Sequence, residues 1–261
     1  MPDAPPPGID TSRPNVARVY DYLLGGKENF AADRELAGQL TSINPGMRQW
    51  ARSNRAFVVA AAVRAAREGG VTQFLDLGSG LPTHPSVHQA VREINPSAQV
   101  AYVDSDQVAV VHSQALLATG KGLTAYQGNL TEPEAVLADP ELAKVVDLSL
   151  PVGLIFGGVA HFLPPEVMRA TTAAYLSAMA SGSWLIISTG TMEDDETEAE
   201  LKPTYTAADV YRHTLEEFES FFAGTQIVPP GIVEGRQWIA GVTAPPPARG
   251  LYVRGAAGIK P

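Results

Sequence analysis

Between Val16 and Glu68 apolar residues return every three or four positions, and beyond Gly70 that period gives way to short, continuous apolar runs. The first pattern predicts helices. One is VARVYDYLL, Val16–Leu24, stopped by Gly25-Gly26; a second covers about Phe30 to Leu40. Asn44-Pro45-Gly46 makes a turn, and a long third helix follows from about Met47 to Glu68, ended by Gly69-Gly70. Trp50, Phe57, Ala61 and Ala65 fall at helical spacing along it with arginines between them, so one face is expected to be buried.

The second pattern predicts strands. QFLDLGSG, VAYVDSD, LTAYQGNL, PVGLIFGGVA and SWLIISTG read as five buried strands, and IVPPGIVEGRQW and RGLYVRGAAGIK as two terminal ones. Helical segments separate the early strands, at roughly 85–94, 107–118, 132–137 and 165–180. Strand alternating with helix, the strands apolar throughout, is the pattern of a mostly parallel sheet covered on both faces. The expected fold is therefore α/β. Its organisation is an arm over residues 1–14, a helical cap over 15–70 and a sheet core over 71–261, the last two forming one structural domain. The acidic run Glu193–Glu200 reads as a solvated loop after the fifth strand, or as a feature favouring a cationic acceptor.

Composition narrows the chemistry. With 261 residues the chain can bury a sizeable core unaided, and with no cysteine it has no disulfide, thiolate nucleophile or cysteine-bound metal. That fits a reducing cytoplasm, the expected location. A net charge of −9 without any Lys/Arg cluster argues against a nucleic-acid partner. The opening MPDAPPPGIDTSRP has neither the basic start nor the apolar run of a signal peptide, and no stretch approaches the ~20 apolar residues of a membrane span, so no membrane association is expected.

The strand ends carry the candidate site. Leu77-Gly78-Ser79-Gly80 runs a strand straight into Gly-x-Gly, which lets a ligand approach the backbone closely. A third glycine at the dinucleotide spacing falls on Thr83, so the Gly-x-Gly-x-x-Gly fingerprint fails and an NAD-dependent reading is disfavoured. Asp104, 28 residues after Asp76, ends the next strand and is placed to accept from two ribose hydroxyls. Ser105 and Asp106 follow it, Asp106 also reading as a helix cap. Asn129 and Leu130 end the third strand, one able to bond an adenine and the other to cover it. Three such features in order at successive strand ends point to a nucleoside.

At this point the chain resembles a known group. DLGSG, VDSD and GNL look like the first three motifs of class I S-adenosylmethionine-dependent methyltransferases. RPNVARVYDYLLGGKENFAADRELA, FLDLGSGLPTHPSVHQ, PVGLIFGGVAHFLP and RGLYVRGAAGIK resemble a bacterial S-adenosyl methyltransferase family of unassigned substrate over nearly the whole chain. The resemblance implies a Rossmann-like, seven-stranded core, S-adenosylmethionine as cofactor and methyl transfer, here to a small-molecule acceptor, with a homodimer allowed. The alternative is a non-catalytic S-adenosylmethionine or nucleoside sensor acting through a protein partner. By motif it places Gly78, Ser79 and Gly80 along the methionine and ribose, Asp104 on the ribose hydroxyls, and Ser105, Asp106, Asn129 and Leu130 around the adenine. Gly157-Gly158 would pass under the sulfonium. The chain departs from the family pattern at Asn129, where members commonly carry Asp, and at Trp238-Ile239-Ala240, where many have a Trp-Arg-Pro-like step.

Two further groups remain open. Gly26, Lys27 and Asn29, with Tyr20 and Asp21, either close over the cofactor or form a glycine helix cap beside a solvated lysine. His161, just past the fourth strand, is the candidate general base because imidazole titrates near neutral pH, or else it packs or caps the helix after it. His84 and His88 have no third ligand near them in the sequence, so no metal is expected.

Overall fold

The computed structural model describes residues 10–117, 120–239 and 250–261, without the side chains of 116 and 117. Most of the expected arm, Ala118 at the end of one expected helix, and Ala240 lie outside these. Three helices come first: α1 (Val16–Leu24), α2 (Ala31–Ile43) and α3 (Met47–Glu68). Then follow β1 (Gln73–Leu77), α4 (Val87–Arg92), β2 (Gln99–Asp104), α5 (Gln107–Leu117) and β3 (Leu123–Gln127). After them come α6 (Pro133–Ala138), α7 (Pro140–Ala143), β4 (Gly153–Gly157), α8 (Pro165–Ala178) and β5 (Trp184–Met192). The chain finishes with α9 (Asp195–Thr204), α10 (Leu215–Ser220), β6 (Gln226–Ile227), β7 (Val233–Glu234) and β8 (Leu251–Ile259).

The strands form one sheet in the order β3-β2-β1-β4-β5-β8-β6, with β7 also paired to β8. β1 to β5 are mutually parallel, and β8 runs antiparallel to β5 over the full register from Trp184↔Ile259 to Met192↔Leu251. This is the expected mostly parallel α/β architecture. The sheet has eight strands rather than seven because Pro229, Pro230 and Gly231 interrupt the segment expected as one terminal strand, leaving two-residue β6 and β7 on either side. Proline has no N–H for a sheet ladder. The acidic run is helical from Asp195, because Asp194 accepts from the Glu196 and Thr197 amides and caps it. Acids in its first turn also suit the positive end of the helix dipole. No helix among the described residues is long and apolar enough to cross a membrane.

Alternate strand residues supply two apolar layers. Leu75, Leu77, Val103, Phe156 and Ile187 face α8 and the Phe218–Phe222 turn; Phe74, Val100, Ile155 and Ile186 face α3 and α4. A third cluster, built on Val19, Leu36, Leu40, Met47 and Trp50, joins α1 and α2 to the start of α3. α3 closes tightly on the sheet. Its Phe57 is fully buried, with ring atoms 2.7–2.9 Å from where a Cβ on Gly255 would stand, so only glycine lets the ring rest on β8. Helix and strand order reverse between β1 and β4, and their carboxyl ends form the crevice in which open α/β sheets bind ligands.

The cap is fastened to itself by a buried ion pair: Arg18 Nε donates to Asp33 Oδ2 at 2.8 Å, and Asp33 also accepts from the amides of Asn15 and Phe30. One carboxylate thereby fixes the starts of both α1 and α2. Removing the buried ring, by Phe57→Ala, is expected to cost about 3–5 kcal/mol in urea unfolding. Val111→Ala, at a side chain 51% exposed, should stay within about 0.5 kcal/mol in the same assay.

Candidate functional site

A cleft of about 520 Å³ opens at the carboxyl ends of β1–β5, under α1, α3 and α9. Gly78, Ser79, Gly80, Asp104, Ser105, Asp106, Asn129, Leu130, Gly157, Gly158 and His161, all expected at the site, line it.

The turn after β1 depends on Gly78, which takes φ 66° and turns its own N–H and that of Ser79 onto the Val103 carbonyl at 2.8 and 3.1 Å. A Cβ there would also stand 2.6 Å from Val159. Asp104 is held between two loops: Oδ2 accepts from the Gly80 N–H at 2.7 Å and Oδ1 from the Asp106 N–H at 2.9 Å. Burial pushes its pKa up, and these two N–H groups oppose that rise. Each oxygen retains a second lone pair for a ligand hydroxyl. Asp106 takes both expected parts. Its Oδ1 accepts from the Val108 N–H at 2.8 Å, as a helix cap does, while Oδ2 is buried without a hydrogen-bond partner among the described residues. Asn129 is exposed and folds onto its own turn, accepting from Thr131 and donating to Glu132 Oε1 at 3.1 Å.

Asp76 carries a signal the motif reading missed. It lies inside a wholly buried strand yet lines the cleft. Burial lifts its pKa from 3.8 to about 7; Arg55 pulls it down and Asp104 pushes it up. A carboxylate buried at such cost, facing a cavity, is suited to a cationic ligand.

Where β4 ends, Gly158 takes φ 75° and a Cβ on it would stand 2.6 Å from Asn54. Its N–H donates to Ser188 Oγ at 2.9 Å, Ser188 Oγ donates to Asn54 Oδ1 at 2.6 Å, Asn54 Nδ2 donates to Tyr20 Oη at 2.9 Å, and Tyr20 donates to the Ala51 carbonyl at 2.9 Å. This chain runs from the sheet through α3 to α1. Asn54 and Ser188 were not singled out in the sequence, since each lies among other polar residues of its element and nothing local marks it.

The glycine step after α1 follows the capping alternative. Gly25 at φ 89° ends the helix, Lys27 is exposed, and Gly26, Lys27 and Asn29 do not line the cleft. Asn29 Nδ2 is engaged with Asp21 Oδ2 at 2.9 Å and the Gly26 carbonyl at 3.1 Å, contacts that belong to the helix end itself. The residues that do cover the cleft come from the start and middle of α1, including Asn15, Ala17 and Tyr20.

His161 lies in the cleft wall on the short 3-10 turn Ala160–Phe162, edge-on to Trp50 at 5.6 Å. Burial lowers its pKa to about 3, with His213 adding to the effect. Titration near neutral pH, the ground for a general base, therefore does not hold. Its Nδ1 accepts from the Gly190 N–H at 3.3 Å, which assigns the ring proton to Nε2. His88 bonds the Tyr102 hydroxyl at 2.9 Å and His84 bonds Gln89 at 3.1 Å.

Comparison with known proteins places this geometry. A family model described as S-adenosyl methyltransferase matches residues 2–260. A candidate methyltransferase from Thermobifida fusca YX is 35% identical, with a TM-score of 0.91 over 98% of each chain. A DUF574 family protein from Streptomyces avermitilis MA-4680 is 31% identical, with a TM-score of 0.89 over 97% of this chain and 99% of its own. Human N-acetylserotonin methyltransferase, solved with its S-adenosylmethionine, shares the fold at 11% identity and a TM-score of 0.50, over 95% of this chain and 63% of its own. No curated protein matches.

Two measurements check the electrostatics. The His161 ring is expected to stay neutral from pH 8 to pH 5 in imidazole NMR spectra; an inflection near 6.5 would contradict its burial. For Asp76, the raised folded pKa means the unfolded chain ionises first, so stability without ligand falls as pH rises from about 4 to about 7. Asp76→Asn should thus gain more than about 1 kcal/mol in urea unfolding at pH 8 and little at pH 4.

Proposed function

Since the chain belongs to the S-adenosyl methyltransferase family, we propose that it methylates a small-molecule acceptor within this cleft, with S-adenosylmethionine bound at the ends of β1, β2 and β3. The observation that carries the reading is Asp104. Backbone amides of two neighbouring turns fix both carboxylate oxygens, each keeps a further lone pair, and the residue lines the cleft. That is the arrangement a vicinal diol requires.

The residues present fit the cofactor. A Cβ built on Gly80 would have only Ala17 within 4 Å, at 3.9 Å, so the backbone there is open to a ligand. Asp76 offers a buried carboxylate to a cationic amine, and the unpartnered Oδ2 of Asp106 can accept from an adenine amino group. When bound, the cofactor supplies a methyl group on a positively charged sulfur: the S–C bond breaks as the acceptor's lone pair forms the new bond, and the electron pair stays on sulfur.

What the chain itself supplies is position. Asn54 and Ser188 hold the Gly158 turn, Tyr20 fixes α1 above it, and neutral His161 lines the wall beyond. Bringing nucleophile and methyl carbon into line accounts for a large share of rate in such transfers and needs no strong base. A small acceptor is favoured because the cleft runs inward beneath three helices, and a chain of net charge −9 is poorly suited to a polyanion.

Calorimetric titration with S-adenosylmethionine, S-adenosylhomocysteine and NAD in parallel should give binding of the first two alone. In the same assay Asp104→Ala should weaken S-adenosylmethionine at least about tenfold, since charge-assisted bonds of ~1.5–3 kcal/mol are lost. An unchanged affinity in a folded variant would misplace the ribose. Transfer of labelled methyl to a small molecule separates an enzyme from a binding-only sensor.

A further inference from the structure

The cleft continues well beyond the residues assigned to the cofactor, past the ends of β4 and β5, and there its character changes. Five rings follow one another in contact along this stretch. Tyr20 meets Trp50 edge-on at 5.9 Å, Trp50 meets His161 at 5.6 Å, His161 lies against Phe162 at 4.2 Å, and Phe162 faces Tyr205 at 5.8 Å with their planes 32° apart. All five line the cavity. Leu201 and Tyr205 come from α9 and its C-terminal end and pack onto the cap cluster, so this half is roofed by the helix that the acidic run forms.

The ionic groups near it are committed elsewhere. Glu198 Oε2 accepts from Arg212 Nη1 at 2.7 Å, and Arg212 also pairs with Asp195. Asp194 caps α9 and accepts from the Thr197 hydroxyl at 2.6 Å. Lys202 is exposed at the rim. Inside stand uncharged polar groups: the neutral His161 ring, the Tyr205 phenol, and two buried atoms without a hydrogen-bond partner among the described residues, Thr191 Oγ1 and Trp50 Nε1. An anion moved among these rings would lose its water and meet their negative faces, and for a cation the nearby Glu198 is already paired with Arg212. A flat uncharged ring would find edges and faces for stacking, and Thr191 would gain the partner it lacks.

We infer that the half of the cleft bounded by Trp50, Phe162, Thr191 and Tyr205 is the acceptor subsite, and that it takes an uncharged aromatic molecule carrying a hydrogen-bonding group. The inference rests on the proposed placement of the cofactor in the other half. It also sets aside the cationic acceptor that the acidic run suggested, because Asp194 caps the helix, Asp195 and Glu198 pair with Arg212, and Glu193, Glu196 and Glu200 are exposed.

The test uses the full chain at pH 7.5, saturated with S-adenosylhomocysteine, and ligand-observed NMR titrations of five probes: indole, benzoate, benzylammonium, cyclohexanol and toluene. Indole is expected to bind at least tenfold more tightly than each of the others. Tyr205→Ala, which removes a ring, and Ala207→Trp, which fills the space, should each weaken indole at least tenfold. Both should leave S-adenosylhomocysteine within twofold by calorimetry. Thr191→Val, close in shape, should weaken indole while leaving toluene unchanged. Benzoate or benzylammonium binding as tightly as indole would overturn the inference, as would indole affinity that ignores both ring-side variants. If S-adenosylhomocysteine fails to bind while indole binds and responds to the variants, the cofactor placement falls and the aromatic subsite stands. If the nucleoside binds and indole does not, the subsite alone falls.

Discussion

The distance between the two walls of the cleft depends on the hydrogen-bonded chain from Gly158 through Ser188 and Asn54 to Tyr20. Apolar packing holds α3 against the sheet but is indifferent to small slides along it. The polar chain is not. Asn54 uses its carbonyl oxygen on Ser188 and its amide on Tyr20, so it fits only where the middle of β5, the turn after β4 and α1 meet. Moving α3 by a fraction of a helical turn would strand several buried donors and acceptors at once, each costing about 1–3 kcal/mol. The network thereby sets the register between the cap and the sheet, and with it the distance between the two walls of the cleft.

The parts of the structure visible in the sequence are those whose signal is local. Continuous apolar runs ending in glycine or an acid marked β1 to β5, and Gly78, Asp104 and Asp106 were placed because each lies at a strand end. What escaped notice is non-local. Ser188 and Asn54 are 134 positions apart, and neither position looks special until the fold joins them. Asp76 was hidden by its surroundings, although a lone carboxylate within a five-residue buried strand is costly enough to be a signal in itself. The acidic run reads as a loop because charge obscures helical periodicity, yet Asp194 is a sound cap, Thr197 is buried and Leu201 packs onto the cap cluster. Gly26, Lys27 and Asn29 show the ambiguity of a local signal: a glycine pair beside a lysine looks functional, and the same pair ends a helix.

The cleft divides along its length by charge. Toward β1, β2 and β3 stand three carboxylates, Asp76, Asp104 and Asp106; toward β4, β5 and α9 stand rings and hydroxyls. A ligand carrying both a cationic part and a diol matches the first region, and its transferable group would then project toward the second. The division also keeps α9 near neutral on its inner side, since its acids point to Arg212 and to solvent. Specificity for each partner follows from what its half would refuse.

Ionised Asp76 is held at a cost, set first by its burial and in smaller part by the nearby charge of Asp104, and the fold bears that cost as lost stability. With the cofactor placed as proposed, a cation settling beside them converts the penalty into attraction, and the folded state gains free energy in proportion to the logarithm of ligand concentration, about 2.7 kcal/mol at a hundred times Kd. Thermal resistance and resistance to proteolysis would then rise and fall with supply of the methyl donor. In a starved cell the protein would be degraded sooner, so its abundance would track the pool it draws on without any dedicated regulator.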